Sequence, residues 1–142
     1  MDDVRLDAPN EWLNRLLRAT NAHDLDALAD CFAEDYVNET PAHPARGFTG
    51  RQQVRSNWQH IFAAVPDLSA AVSRSAVSDG TVWSEWELTG NRRDGAAHAM
   101  TGVIVFDIVE GRAGRACFYL EVVDHDNLSI DSALASQLTD RP

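Results

Sequence analysis

Three stretches in the second half of the chain decide the fold: TVWSEWELTG (81–90), HAMTGVIVFDIV (98–109) and RACFYLEVVD (115–124). Their side chains divide into two alternating sets, and their β-branched and aromatic residues are typical of strands. Residues 68–77 are a further strand candidate, and Ser78-Asp79-Gly80 predicts a hairpin turn after them. A second turn, EGRAG (110–114), separates the last two strands. The second half therefore predicts a meander of antiparallel strands.

The first half of the chain has the 3.6-residue periodicity of amphipathic helices. Asp24 is a predicted N-cap, Thr49 and Gln52 can form a capping box before the third helix, and Pro66 ends that helix. The three apolar stripes are Trp12, Leu13, Leu16 and Leu17; Leu25, Leu28, Ala29 and Phe32; and Val54, Trp58, Ile61, Phe62 and Val65. A short strand is predicted at 36–40 and a weak helix at 128–138. Helices followed by a meander predict an α+β fold, with one domain over 1–142 and its core at about 10–125.

Composition and charge exclude several function classes. The chain has a formal net charge of −10 and contains no lysine, so neither nucleic acid nor an anionic membrane is an expected partner. No apolar run is long enough to span a membrane, and the acidic amino terminus does not resemble a signal peptide, so a cytoplasmic location is expected. The five histidines have no metal-binding spacing, and no nucleotide-binding loop is present, so the sequence predicts neither a metal nor a cofactor.

The alternating faces of the strands indicate a pocket. Trp86 and Leu88 share one face of their strand, as Met100 and Ile104 do on the next. Both faces of the last strand are largely apolar, which predicts that both are covered, one of them by a second copy in a homodimer formed through the outer sheet face. Within the set that begins at Cys117 and Tyr119, Glu121 interrupts the apolar pattern. A carboxylate in such a place must be paired, protonated or functional.

The motifs that carry a family resemblance cover residues 12–124. DLDALADCFAEDYVNETPAHPARGFTGRQQVRSNWQHIFAAVPDL (24–68), VWSEWELTG (82–90), VIVFDIVEGRAGR (103–115) and CFYLEVVD (117–124) resemble the nuclear-transport-factor-2-like superfamily, in its SnoaL-like polyketide cyclase and steroid-isomerase-like branch. The resemblance implies a cone-shaped half-barrel, in which a highly curved and mostly antiparallel sheet wraps around three N-terminal helices. It also implies a deep apolar pocket whose carboxylates, histidines and tyrosines work without metal or cofactor.

The resemblance carries over residue by residue only in part. Where limonene epoxide hydrolases have an arginine and an aspartate on one strand, this chain has Trp86 and Leu88, although Glu121 matches their acid on the final strand. Where ketosteroid isomerases have a base before a proline, this chain has Thr40, with Glu39 beside it. Polyketide cyclases use an acid on the last strand with a histidine or an asparagine nearby, for which Glu121, His98 and Asn38 are the candidates.

The sequence thus predicts a cofactor-independent enzyme that acts on a small hydrophobic carbonyl-containing molecule by acid/base chemistry, through cyclisation, isomerisation or dehydration. The predicted catalytic residues are Glu121, His98 and Glu39. The predicted substrate-binding residues are Asn38, Trp58, Trp86, Leu88, Met100, Ile104 and Tyr119. Two alternatives stay open: a non-catalytic module that binds a small ligand or a protein, and a limonene-type epoxide hydrolase with an altered active site.

Overall fold

A computed structural model of the chain describes residues 2–139. The helices are α1 (Asp2–Ala22), α2 (Leu25–Asp30), α3 (Arg51–Ala64) and α4 (Ile130–Thr139), and a single 3-10 turn covers Pro44–Arg46. The strands are β1 (Phe32–Glu39), β2 (Phe48–Thr49), β3 (Ser69–Ser78), β4 (Thr81–Asn91), β5 (Ala97–Val109) and β6 (Arg112–Val122).

The six strands form one curved, unclosed sheet in the order β2-β1-β6-β5-β4-β3. Strands β3 to β6 are the predicted antiparallel meander, and β1 joins β6 in a parallel pair. Helix α1 packs against β3 and β4, while α3 packs against β1 and α2. The predicted α+β half-barrel around N-terminal helices is confirmed.

The core lies between the helices and the concave face of the sheet. Trp12 of α1 is 1% exposed, and its Nε1 donates a hydrogen bond to the carbonyl oxygen of Cys31 at 2.8 Å. The Trp12 ring lies 4.7 Å from the ring of Phe106 on β5, which ties α1 to the middle of the sheet. This contact fills the part of the concave face beneath α1 with side chains.

The middle of the sheet requires a glycine at position 102. Gly102 has φ +150°, and a Cβ added there would meet the carbonyl oxygen of Tyr119 and would lie 2.8 Å from the Cα of Leu120. Backbone atoms cannot yield as a flexible side chain does, so β5 and β6 can approach this closely only when position 102 has no side chain.

Some of the predicted helix and strand boundaries are confirmed, and others are wrong. The Asp24 cap of α2 is confirmed, because its carboxylate accepts a hydrogen bond from the N–H of Ala27 at 3.1 Å. The predicted capping box of α3 is wrong, since Gly50 is the N-cap and no side chain caps it. Phe32 begins β1 instead of ending α2, and the weak C-terminal helix is present as α4.

A β-bulge in β6 decides which of its side chains face the helices. Val109 pairs with Arg112 and Ile108 with Ala113, but Asp107 pairs with Arg115, so Gly114 is an extra residue. Beyond the bulge every β6 side chain is displaced by one position relative to β5.

Among residues 2–139, no helix combines the length and the apolar character needed to cross a membrane.

Candidate ligand-binding site

A cavity of about 230 Å³ lies between α3 and the concave face of the sheet. Most of its wall is apolar, and its polar residues are concentrated on β1 and the loop that follows. The lining residues are Phe32, Tyr36, Asn38, Thr40, Arg46, Phe48, Val54, Asn57, Trp58, Ile61, Leu88, Met100, Phe118 and Leu120. Such a wall fits an organic molecule that is mainly apolar and has few polar groups.

A buried pair of polar side chains stands at one end of the cavity. Tyr36 is 1% exposed and Asn38 is 7% exposed, and the Tyr36 hydroxyl donates a hydrogen bond to Asn38 Oδ1 at 2.7 Å. The two residues are neighbours on one face of β1 because strand side chains alternate. The Tyr36 ring is held edge-on against Phe32, with 4.8 Å between centroids. Burial raises the pKa of Tyr36, so its hydroxyl stays neutral near pH 7.

The amide nitrogen of Asn38 opens on the cavity. No fully buried side-chain polar atom of the described residues lacks a partner. Asn38 Nδ2 has no hydrogen-bond partner among the described backbone and the side chains of residues 8–138, so it is in contact with the open space that Asn38 lines. Since Tyr36 already donates to Oδ1, the N–H groups of the Asn38 amide stay available to a group in the cavity. The pair can therefore donate a hydrogen bond to a carbonyl oxygen in the cavity.

Four of the predicted binding residues line this cavity. They are Asn38 on β1, Trp58 on α3, Leu88 on β4 and Met100 on β5. Trp86 and Ile104 do not line it, which corrects their predicted place in the wall. They share the concave face but lie in the core, at 3% and 4% exposure. The Trp86 ring lies 6.5 Å from that of Phe106, in the region that α1 covers.

Three predicted site residues lie on the outer face of the sheet. Tyr119 pairs with Val103, and Glu121 pairs with Thr101, so both point away from the cavity, as Glu39 does beside Cys117. The inward residues of β6 are Phe118 and Leu120. The predicted position of Glu121 and Tyr119 in the wall is therefore wrong, and the Gly114 bulge is the physical reason.

The outward carboxylates have partners of their own. Glu121 accepts a hydrogen bond from Nε2 of His43 at 3.1 Å, with about half of its side chain exposed. Glu39 forms an ion pair with Arg115 of the neighbouring strand. The structure thus brings neither residue to the cavity.

His98 is the one predicted catalytic residue that shares the cavity face. It pairs with Gly90 and stands two residues before Met100, so both side chains point to the concave side. His98 is half-buried and lies outside the lining, roughly 7 Å along the strand from Met100.

Tyr36 and Arg46 are site residues that the sequence analysis missed. Tyr36 was included in a strand candidate, and its alternation with Asn38 and Thr40 is the signal that places all three on one face. Arg46 lies in a Pro/Gly-rich loop, where no periodicity indicates direction. In residues 2–139, no group of three or more His, Cys, Asp or Glu side chains is placed to hold a metal ion.

Comparisons with known proteins identify the family. The sequence model of the SnoaL-like domain matches residues 13–116. No curated protein sequence matches the chain.

Solved structures show the same fold at low identity. Wild-type IdmH, a candidate polyketide cyclase from Streptomyces antibioticus, is 21% identical with a TM-score of 0.69, over 79% of this chain and 91% of IdmH. A candidate ketosteroid isomerase from Kribbella flavida is 17% identical with a TM-score of 0.68, over 96% and 90% of the two chains. An NTF-2-like protein of unknown function from Burkholderia xenovorans is 17% identical with a TM-score of 0.67, over 98% of both. The chain belongs to the SnoaL-like domain family, within the nuclear-transport-factor-2-like fold.

Proposed function

We propose that this protein binds a small hydrophobic carbonyl-containing molecule in the cavity and acts on it without a cofactor, by acid/base chemistry. The observation that carries the proposal is the buried Tyr36–Asn38 pair, which presents an amide N–H to a mainly apolar cavity. A donor in a dry site interacts strongly with a carbonyl oxygen, and more strongly still with the enolate that forms when an adjacent C–H loses its proton.

The proton acceptor in this proposal is His98. Cyclisation, isomerisation and dehydration of carbonyl compounds all need a base near the carbon next to the carbonyl. No Asp, Glu or His is among the described residues that line the cavity, and His98 is the titratable side chain on the same face of β5.

A non-catalytic ligand-binding protein is the second candidate. The observation that favours this candidate is the composition of the cavity lining. Among the described residues the lining offers hydrogen-bond donors but no carboxylate or imidazole. A limonene-type epoxide hydrolase has less support, because Trp86 and Leu88 stand where its arginine and aspartate would be.

Binding is tested with two ligands of the same shape. Acetophenone has a carbonyl oxygen where α-methylstyrene has a methylene group, so only the former can accept a hydrogen bond from Asn38. Chemical-shift titration of ¹⁵N-labelled protein gives both dissociation constants and locates the site. We expect the wild type to prefer acetophenone roughly three- to ten-fold, and Asn38→Leu to remove that preference. Tyr119→Phe, a change on the outer face, is the control, and an equal preference in Asn38→Leu would refute the proposal.

Catalysis is tested by exchange of the acetophenone methyl protons in D₂O, followed by proton NMR. We expect exchange above the buffer rate in the wild type, and its loss in His98→Gln and Asn38→Leu. Binding without exchange would support the second candidate, and exchange that survives in His98→Gln would exclude His98 as the base.

We also propose a homodimer through the outer face of the sheet. Trp83 is a large side chain on that face and is 52% exposed. Sedimentation velocity should give twice the mass of one chain for the wild type and a monomer for Trp83→Glu. A monomeric wild type would contradict the dimer.

A further inference from the structure

One arginine stands at the open side of the cavity. Arg46 lines the cavity and is itself exposed, so it lies where the cavity meets solvent. The other lining residues of the described chain are apolar or neutral, and Arg46 is their single cation. It ends the 3-10 turn, where its backbone N–H donates to the carbonyl oxygen of His43 at 2.9 Å.

The Arg46 side chain has no acidic partner among the side chains of residues 8–138. Some of the other arginines pair with carboxylates, as Arg74 does with Glu85, and others donate to backbone carbonyl oxygens, as Arg51 does to that of Phe32. The carboxylate of Glu121 is taken by His43, three residues before Arg46 on the same loop. The Arg46 guanidinium at the cavity opening is therefore available to an anionic group of a ligand.

The arginine lies close enough to Asn38 for one small ligand to contact both residues. Phe48 pairs with Asn38 across β1 and β2, and Arg46 precedes Phe48 by two residues, at most about 7 Å along the chain. Gly47 packs on β1, since a Cβ there would lie 3.2 Å from the carbonyl oxygen of Asn38. The loop is therefore held against the strand that carries the donor pair.

The cavity volume limits the ligand. The cavity volume of 230 Å³ equals the liquid volume of about eight water molecules. Space of that size holds one ring with substituents, and a second ring would reach into the opening.

From these observations we propose that the ligand class is a small organic carboxylate. Its ring lies in the apolar cavity, its carbonyl oxygen accepts from Asn38, and its carboxylate pairs with Arg46. The proposal rests on the proposed function, and it adds the anionic group and the size. The chain has a net charge of −10, so its overall electric field repels anions. A cation at the opening offsets this repulsion for a carboxylate, and a neutral analogue does not gain the ion pair with Arg46.

The test compares 4-acetylbenzoate with 1,4-diacetylbenzene. The two ligands share a shape and a ketone, and differ in a carboxylate oxygen that replaces a methyl group. We expect the wild type to bind 4-acetylbenzoate roughly ten-fold more tightly at low ionic strength, by ¹⁵N chemical-shift titration. Arg46→Gln should lose this preference while still binding 1,4-diacetylbenzene. Arg92→Gln changes the net charge equally on the β4–β5 loop, where Arg92 is exposed, and should keep the preference.

Each other outcome overturns the proposal in a recognisable way. Equal binding of both ligands by the wild type, or a preference that survives in Arg46→Gln, would refute the role of Arg46. Equal losses in Arg46→Gln and Arg92→Gln would show that only net charge matters. If 1,4-diacetylbenzene still binds in an Asn38-dependent way, the proposed function survives this failure. If neither ligand binds at millimolar concentration, both proposals fail.

Discussion

The Tyr36–Asn38 hydrogen bond should be measurable as a coupling energy in the stability of the protein. Tyr36→Phe removes the donor and leaves the Oδ1 of Asn38 without a partner, at a residue that is 7% exposed. A buried polar atom that loses its partner costs about 1 to 3 kcal/mol. Asn38→Leu strands the Tyr36 hydroxyl in the same way, so each single variant should unfold about 1 to 2 kcal/mol more easily than the wild type.

The double variant Tyr36→Phe/Asn38→Leu removes both polar groups together. Because no unsatisfied atom remains, we expect it to be about as stable as either single variant, with a coupling energy of about 1 to 2 kcal/mol.

The assay is urea unfolding followed by tryptophan fluorescence, with ΔG extrapolated to water for all four proteins. Tyr119→Phe is the matched control, because the other tyrosine of the chain is 46% exposed on the outer face, and it should change ΔG by less than about 0.5 kcal/mol. Additive single and double effects, agreeing within about 0.5 kcal/mol, would show that the two side chains do not share a bond and would refute the geometry of the donor pair.

Three further results are expected. Burial raises the pKa of Tyr36 in the folded state. The contribution of Tyr36 to stability is therefore complete below the unfolded pKa of about 10 and is lost as the pH rises above that value. Absorbance near 295 nm should show one tyrosine that ionises only on unfolding. Glu121→Gln weakens a half-exposed hydrogen bond with His43 on the outer face, so it should lower ΔG by less than about 1 kcal/mol and leave acetophenone affinity within about two-fold. A larger loss of affinity would place Glu121 in the site. Gly102→Ala places a Cβ against the backbone of β6 and should cost about 3 kcal/mol in urea unfolding, unlike Gly114→Ala, whose Cβ would lie 3.8 Å from Cγ2 of Val109, an ordinary contact.

Most of the fold could be predicted because its signals are local and periodic. The apolar stripes, the Asp24 cap and the Asp79-Gly80 hairpin each depend on a few neighbouring residues, and all are present in the structure. The start of α3 could not be predicted in the same way. Gly50 adopts φ +99° and its N–H donates to the carbonyl oxygen of Tyr36 at 2.7 Å, so the cap is set by a tertiary contact with β1.

The site could be predicted in part, and the errors follow from one geometric fact. On β4 and β5 the polar and apolar faces differ, and the residues assigned to the concave face, Leu88 and Met100, line the cavity. On β6 both faces are largely apolar, so hydrophobicity does not show whether the face with Leu120 or the face with Glu121 points into the cavity. Only the pairing of β6 with β5 decides which face of β6 points into the cavity, and this pairing depends on the turn and on any bulge that follows it.

That bulge explains why the last strand was assigned the wrong face. With the two-residue turn at Glu110-Gly111 and no bulge, the pairing that begins at Val109 and Arg112 would continue until Glu121 lay opposite Met100, inside the cavity. The extra residue at Gly114 moves Val122 to that place and turns Glu121 outward. A glycine inside a strand is a known signal of a bulge. Gly114 therefore indicates a bulge in the sequence itself, although the bulge changes the face of a residue seven positions later, Glu121. Matching an acid to a family position by alignment therefore does not place it in the site, because the number of residues between turn and acid decides the face. In this chain the polar residues that line the cavity are Tyr36, Asn38, Thr40, Arg46 and Asn57, and Glu121 is not among them.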